Sequence, residues 1–186
     1  MKVILFDCFG VLSSPVYSTI FGKHFSDKVE LQEWIDKLVD IDLGKLTEED
    51  LVVQLSNRLK IPKDTIRTEV DDTPKLDRPL LDYIRHELKG KYTIGVLSNI
   101  ATSIFDKIMT GELDLFDILF ISSELGLVKP DPRIFQVAIE KSQVPAQEIL
   151  FIDDREENIE AAKALGMNGI LYKDFTSFQQ ELATYL

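Results

Sequence analysis

Short apolar runs of strand length, most of them ending at a polar residue, recur along this chain and alternate in its second half with helical patterns. They are Val3 to Phe6, Tyr92 to Leu97, Asp117 to Ile121, Ile149 to Ile152 and Gly169 to Tyr172. Runs this short and this apolar read as strands covered on both faces. Between the later ones, Ile134, Phe135, Ala138 and Ile139 share one face of a helix expected from Pro132 to Lys141. A second helix, Asn158 to Leu165, is stopped by Gly166. Alternating strands and helices need crossover connections, so the expectation is an α/β, three-layer, Rossmann-like core with a parallel sheet.

The interval from about Ser13 to Arg78 breaks the pattern, because its periodicity is helical and it holds almost no strand signal. Leu31, Trp34, Ile35, Leu38 and Val39 form one apolar stripe. Thr47, with Asp50 three residues on, is a capping signal for a helix carrying Leu51, Val52, Leu55 and Leu59 and ending near Pro62. The acidic stretch Glu69 to Thr73 reads as a connecting turn. The expected organisation is a core of residues 1–12 and 79–186, with a helical cap of residues 13–78 inserted after the first strand. A chain of 186 residues, 45% of them hydrophobic, suffices for one such core.

A net charge of -11 argues against a nucleic acid or an anionic membrane as partner, since affinity for phosphate backbones comes from Lys and Arg. One cysteine, Cys8, allows no intramolecular disulfide, and no Cys/His cluster has zinc-ligand spacing. A reducing, cytoplasmic setting fits that usage. Lys2 followed by apolar residues imitates a signal peptide, but Asp7 interrupts the apolar segment. No window reaches the length of a membrane span. Nothing in the pattern fixes an oligomeric state, and a monomer suffices.

Several strands end in residues able to do chemistry: Asp7 after the first, Ser98 and Asn99 after the second, Asp153 and Asp154 after the fourth. Open parallel sheets bind ligands at these carboxyl ends, near the point where strand order reverses, so the residues are candidates for one site. Asp153 and Asp154 form an adjacent pair whose repulsion a cation would relieve, and hard oxygen donors suit Mg²⁺. An acidic helix start is the blander account of the pair. Ser98 and Asn99, before a helix expected from Ala101 to Ile108, offer either an anion cradle or a simple helix cap.

The segments FDCFGVL (Phe6 to Leu12), LSN (Leu97 to Asn99), VKPDPRIF (Val128 to Phe135) and FIDDREENI (Phe151 to Ile159) together resemble, in order and placement, the four motifs of the haloacid dehalogenase (HAD) superfamily of hydrolases. Within it they are most similar to sugar-phosphate phosphatase-like members with a small helical cap. The likeness implies that Asp7 is a nucleophile forming an aspartyl intermediate, the alternative being a strand-end Asp that begins a turn. It implies that Asp7, the Phe9 backbone carbonyl, Asp153 and Asp154 hold Mg²⁺, with Asp154 in direct contact, Asp153 in direct or water-mediated contact and Asn158 orienting them, the alternative for Asn158 being a surface helix position. Ser98, Asn99 and Lys129 would bind the phosphate of a small metabolite, Ser98 and Lys129 with catalytic roles; the alternative for Lys129 is a solvated loop position.

One position departs from that pattern. Most phosphatases of the superfamily carry a second Asp two residues after the nucleophile as general acid and base, and here the residue is Phe9. Three readings follow: a phosphatase for esters with good leaving groups, such as acyl or anomeric sugar phosphates; a 2-haloacid dehalogenase, whose halide needs no proton; or a non-catalytic binding module. The acidic pair, and the lack of an Arg in Ser13 to Tyr17, favour the phosphatase. His24 and His86 are weak substitutes as proton donor, since nothing in the sequence aims either ring at Asp7.

Overall fold

The computed structural model describes residues 1–186. Five strands, β1 (Val3–Phe6), β2 (Thr93–Ser98), β3 (Ile118–Ile121), β4 (Ile149–Asp153) and β5 (Asn168–Leu171), form one parallel sheet in the order β3-β2-β1-β4-β5. Each matches an expected apolar run to within one residue at either end. Within β1, Ile4 and Phe6 enter the apolar cluster on one face, while Val3 and Leu5 enter the cluster on the other. Burial on both faces is why these runs carry no polar alternation.

The helices are α1 (Tyr17–His24), α2 (Lys28–Asp42), α3 (Glu48–Leu59), α4 (Lys63–Asp72), α5 (Arg78–Tyr83, continued by one wide π turn, Ile84–Leu88), α6 (Thr102–Ile108), α7 (Ser122–Leu125), α8 (Pro132–Ser142), α9 (Glu156–Ala164) and α10 (Phe175–Leu182). Residues of α8 and α9 cover one face of the sheet, and residues of α5, α6 and α10 cover the other. The result is the three-layer arrangement expected from strand and helix alternation.

Helices α1 to α4 make the cap. Thr47 caps α3 through a reciprocal box: its hydroxyl accepts from the Asp50 amide at 3.1 Å, and the Asp50 carboxylate accepts from the Thr47 amide at 3.1 Å. Residues 69–72, expected as a connecting turn, are instead the last turn of α4, because Ile66 and Val70 recur at helical spacing and bury one face. Acidic composition there marks the solvent side of a helix, and chain reversal waits for Pro74. The linkers into and out of the cap run side by side, with the Ser14 amide donating to the Lys75 carbonyl and the Asp77 amide to the Leu12 carbonyl, both at 2.9 Å. We place the cap-to-core division at these paired linkers.

Cap and core share one apolar cluster. Phe21, Trp34, Leu51 and Ile66 of the cap belong to the same contiguous set as Phe6, Val96 and Ile152 of the sheet. Inside the cap, Phe25 stacks on Trp34 with ring centroids 5.3 Å apart, and Phe21 lies 5.8 Å from Trp34. Trp34→Ala is expected to destabilise the fold by about 3–5 kcal/mol, as large-to-small changes at buried aromatics do. Urea unfolding would show this as a lower midpoint at unchanged slope. A change within the ~0.5 kcal/mol typical of surface substitutions would show that Trp34 does not hold the cap together.

Candidate active site

Strand order determines what meets at the carboxyl end of the sheet. β1 lies between β2 and β4, with Phe6 in register with Val96 on one side and Ile152 on the other. One residue further on, the Asp7 amide still donates to the Ile152 carbonyl at 2.8 Å. The side chain of Asp7 therefore emerges beside the ends of both neighbours, and Ser98 and Asp153 stand next to it.

Lys129 joins the parts electrostatically. Its ammonium lies 3.0 Å from an Asp7 carboxylate oxygen and 2.6 Å from one of Asp153, and its side chain is only 1% exposed. Asn99 fixes the Lys129 main chain, accepting from its amide at 2.7 Å and donating to its carbonyl at 3.0 Å. The Asn99 amide thus holds the Lys129 main chain, and Asn99 also lines the cavity. The Lys129 ammonium also lies 5.1 Å from the Phe151 ring centroid. Burial works against the ammonium, but Asp7 and Asp153 outweigh it and hold the Lys129 pKa above its ordinary value.

Asp153 is fully buried and saturated: besides Lys129 it accepts from the Arg155 amide at 2.8 Å and from the Asn158 side-chain nitrogen at 3.0 Å to both oxygens. The Asn158 side chain thus holds both Asp153 oxygens, and its own carbonyl oxygen is buried without a partner. Asp154 points outward, exposed and without an ion pair. Gly10 makes room for it: with φ of +84°, a Cβ at Gly10 would lie 2.1 Å from an Asp154 oxygen. Ser98 is completely buried. Its hydroxyl lies 3.4 Å from the Cys8 amide and works to lower the Asp7 pKa, so it stands beside the Asp7 carboxylate. The expected amide cradle after it is also partly occupied, because the Ile100 and Thr102 amides donate to the Ser122 and Ser123 hydroxyls.

Carboxylate oxygens of Asp7, Asp153 and Asp154 all lie within 4.8 Å of one another. One ammonium set against three carboxylates leaves two negative charges uncompensated. Burial, repulsion from Asp153 and the opposing pull of Lys129 together bring the Asp7 pKa up to about 7, and burial and Asp153 raise that of Asp154. An all-oxygen donor set with surplus negative charge and one partnerless carboxylate fits a hard divalent cation such as Mg²⁺.

A cavity of about 320 Å³ opens over this cluster between core and cap. Asp7, Phe9, Lys129, Asp154 and Arg155 line its floor, and Val16, Ile35, Leu38, Ile41 and Ile104 supply much of the remaining wall. His24 is bonded to Glu69 at 2.7 Å, His86 is exposed, and neither lines the cavity. Among the lining residues that sequence reasoning passed over is Asp42, although a signal was present. Ile35, Leu38 and Asp42 follow helical spacing, which puts an acid in the apolar stripe of α2.

Residues 1–166 match the model of the haloacid dehalogenase-like hydrolases. The chain belongs to that family. It is 29% identical to sesquiterpene phosphatase astK of Aspergillus oryzae, over 97% of this chain and 94% of that protein. It is also 29% identical to the D-ribitol-5-phosphate phosphatase of Bacteroides thetaiotaomicron, over 79% and 76% of the two chains. A HAD family enzyme of Bacteroides thetaiotaomicron, solved with magnesium and inorganic phosphate, superposes with a TM-score of 0.76 at 22% identity, covering 96% of this chain and 98% of its own. No helix of this member of the family is long and apolar enough to cross a membrane.

Two outcomes test this geometry. Gly10→Ala is expected to push Asp154 away and weaken Mg²⁺ binding by roughly 10–100-fold, the range for disturbed supports of a metal site; titration calorimetry with wild-type affinity would show that Asp154 is not a ligand. The second concerns pH. The folded Asp7 pKa, about 7, lies above the ordinary 3.8, so its contribution to the metal-free fold is complete below about 3.8 and is lost as pH rises towards 7. Mg²⁺ favours the ionised form, so the increase in Tm that it gives over chelator should grow across the same window. An increase independent of pH would contradict the assignment.

Proposed function

We propose that this hydrolase removes phosphate from a small phosphate monoester by attack of Asp7 on phosphorus, with Mg²⁺ as cofactor. The observation that carries the reading is the Asp7, Lys129, Asp153 and Asp154 cluster on the floor of a closed-over cavity. Asp7, Asp154 and the Phe9 carbonyl would hold the metal directly, and Asp153 directly or through water. When bound, the metal supplies positive charge to the phosphate oxygens. Asp7 provides the attacking oxygen, held by the Ser98 hydroxyl and the Cys8 amide, the latter donating at 2.7 Å. Lys129 neutralises charge beside that oxygen and keeps it aimed into the cavity. The resulting aspartyl phosphate is then cleaved by water. Both relatives named above, at 29% identity, are phosphatases, which supports the same chemistry.

The leaving group points towards the cap. A sugar phosphate, the class implied by the motif likeness, would present several hydroxyls there. The wall facing it is largely Val16, Ile35, Leu38, Ile41 and Ile104, with Ser18 and Asp42 as polar members, and Tyr17 spends its hydroxyl on Glu48 at 2.7 Å. Unpaired hydroxyls against such a wall are costly, whereas hydrocarbon is welcome there. We therefore favour the phosphate of a largely apolar alcohol, in keeping with the sesquiterpene phosphatase relative.

Phe9 is the one observation that favours halide displacement instead. The carboxylate cluster opposes it, since a halide can leave without a cation to gather oxygens around phosphorus. Phosphate release from hydrocarbon, sugar and acyl phosphates, with Mg²⁺ or chelator, should be measured beside chloride release from 2-haloacids. Mg²⁺-dependent phosphate release is expected, lost by at least about 10³-fold in Asp7→Asn, since a missing nucleophile leaves only binding and charge stabilisation. Unchanged release in that variant, or chloride release alone, would overturn the reading.

A further inference from the structure

Asp42 is the last residue of α2 and has no structural employment. It lines the cavity together with Asp7, Phe9 and Lys129, yet its carboxylate makes no hydrogen bond and no ion pair. Its immediate company on the same helix face, Ile35, Leu38 and Ile41, is apolar. A negative charge at a helix C-terminus also opposes the helix dipole, and no basic residue in the last turn of α2 compensates it. Local rules broken three times in one residue, with no visible structural return, mark a functional position.

The backbone around Asp42 is, by contrast, held firmly to the core. Its carbonyl accepts from the Ser122 hydroxyl at 2.6 Å, and the same hydroxyl accepts from the Ile100 amide at 2.9 Å. Gly44, with φ of +70°, packs its α-carbon against Ser123, where a Cβ would meet the Ser123 carbonyl at 3.2 Å. The cap thus presents Asp42 at a fixed place in the wall of the cavity that Asp7 also lines.

We propose that Asp42 is the proton carrier of this enzyme, doing from the cap what the residue at the Phe9 position cannot do from the core. The proposal rests on the phosphatase reading above. In the first step the Asp7 oxygen bonds to phosphorus as the phosphorus–oxygen ester bond breaks, and the Asp42 carboxylic acid gives its proton to the departing alkoxide. In the second, the Asp42 carboxylate takes a proton from water as the water oxygen bonds to phosphorus and the bond to Asp7 breaks. One water is consumed, alcohol and phosphate leave, and both aspartates return to their starting states.

The surroundings support this use. Asp7 from β1, Lys129 from the loop after α7, and Asp154 and Arg155 from the loop after β4 are the charged groups that share the cavity with Asp42. Burial and the charge of Asp7 bring the Asp42 carboxyl up to about 7, against the pull of Lys129 and Arg155. A group poised there can both give and accept a proton near neutrality.

The test compares wild type, Asp42→Asn and Asp42→Glu with Mg²⁺ on two esters, hexyl phosphate with its poor leaving group and 4-nitrophenyl phosphate with a good one. In Asp42→Asn, kcat for hexyl phosphate is expected to fall by about 10²–10⁴-fold, the usual worth of general acid–base catalysis. Release of 4-nitrophenolate in a single turnover should survive nearly intact and be followed by a stalled aspartyl phosphate, seen as a burst. Asp42→Glu should recover part of the hexyl phosphate rate, and the alkaline fall in wild-type rate should vanish in Asp42→Asn. Equal loss of single-turnover alcohol release on both esters, a change in KM alone, or a full wild-type rate in Asp42→Asn would overturn the proposal, provided its Tm and its Mg²⁺-induced Tm increase match wild type. If those differ, Asp42→Glu decides: an unchanged ratio between the single-turnover release rates of the two esters would overturn it. A wild-type enzyme inactive on every ester would overturn the phosphatase reading itself.

Discussion

A buried ammonium between two carboxylates is the interaction on which the active end of this molecule depends. Lys129 sits 3.0 Å from Asp7 and 2.6 Å from Asp153, and almost none of its side chain reaches solvent. Removing a charged group from water is expensive, and only close opposite charges with saturated hydrogen bonds offset the penalty. Asn158 and the Arg155 amide supply that saturation for Asp153, while Asn99 fixes the main chain that carries Lys129. Asp7 and Asp154 are left incompletely satisfied, and these two carboxylates line the cavity. The same arithmetic that makes the cluster costly without a metal makes it receptive to one.

The sheet determines where that cluster can exist. Because β1 is central and its neighbours are β2 and β4, three chain segments far apart in sequence end side by side. Burial of β1 on both faces fixes its register, since a one-residue slip would expose every side chain to the wrong layer. Position and chemistry are therefore tied together: the packing that buries Phe6 is also what delivers Asp7.

Much of this was readable from the sequence because it is local. Apolar runs of four to six residues ending in Asp or Ser give the strands and their active ends directly, and Thr47 with Asp50 gives a helix start. The motif likeness correctly indicated the family and the meeting of Asp7, Lys129, Asp153 and Asp154. What escaped depends on distant partners. The protein contacts of Ser98 and Asn99 were not readable, because a hydroxyl or amide at a strand end looks the same whether it faces a ligand or a neighbouring side chain. Here Asn99 faces the Lys129 backbone and Ser98 faces Asp7. Glu69 to Asp72 looked like a turn because acidic composition hid the spacing of Ile66 and Val70. Asp42 was passed over because an acid in an apolar stripe acquires meaning only once the stripe is seen to overhang a catalytic floor.

The sharing of one apolar cluster by cap and sheet has a consequence for how such a molecule diversifies. A roof anchored by Phe21, Trp34 and Leu51 to the strands beneath it does not behave as an exchangeable module, since grafting a foreign cap would disrupt the interior of the whole body. New preferences are more accessible by repainting the ceiling in place, at Ile35, Leu38 or Ile104, while the anchoring residues stay constant. Descendants of this scaffold should then differ in the lining of the chamber and agree in the beams that carry it.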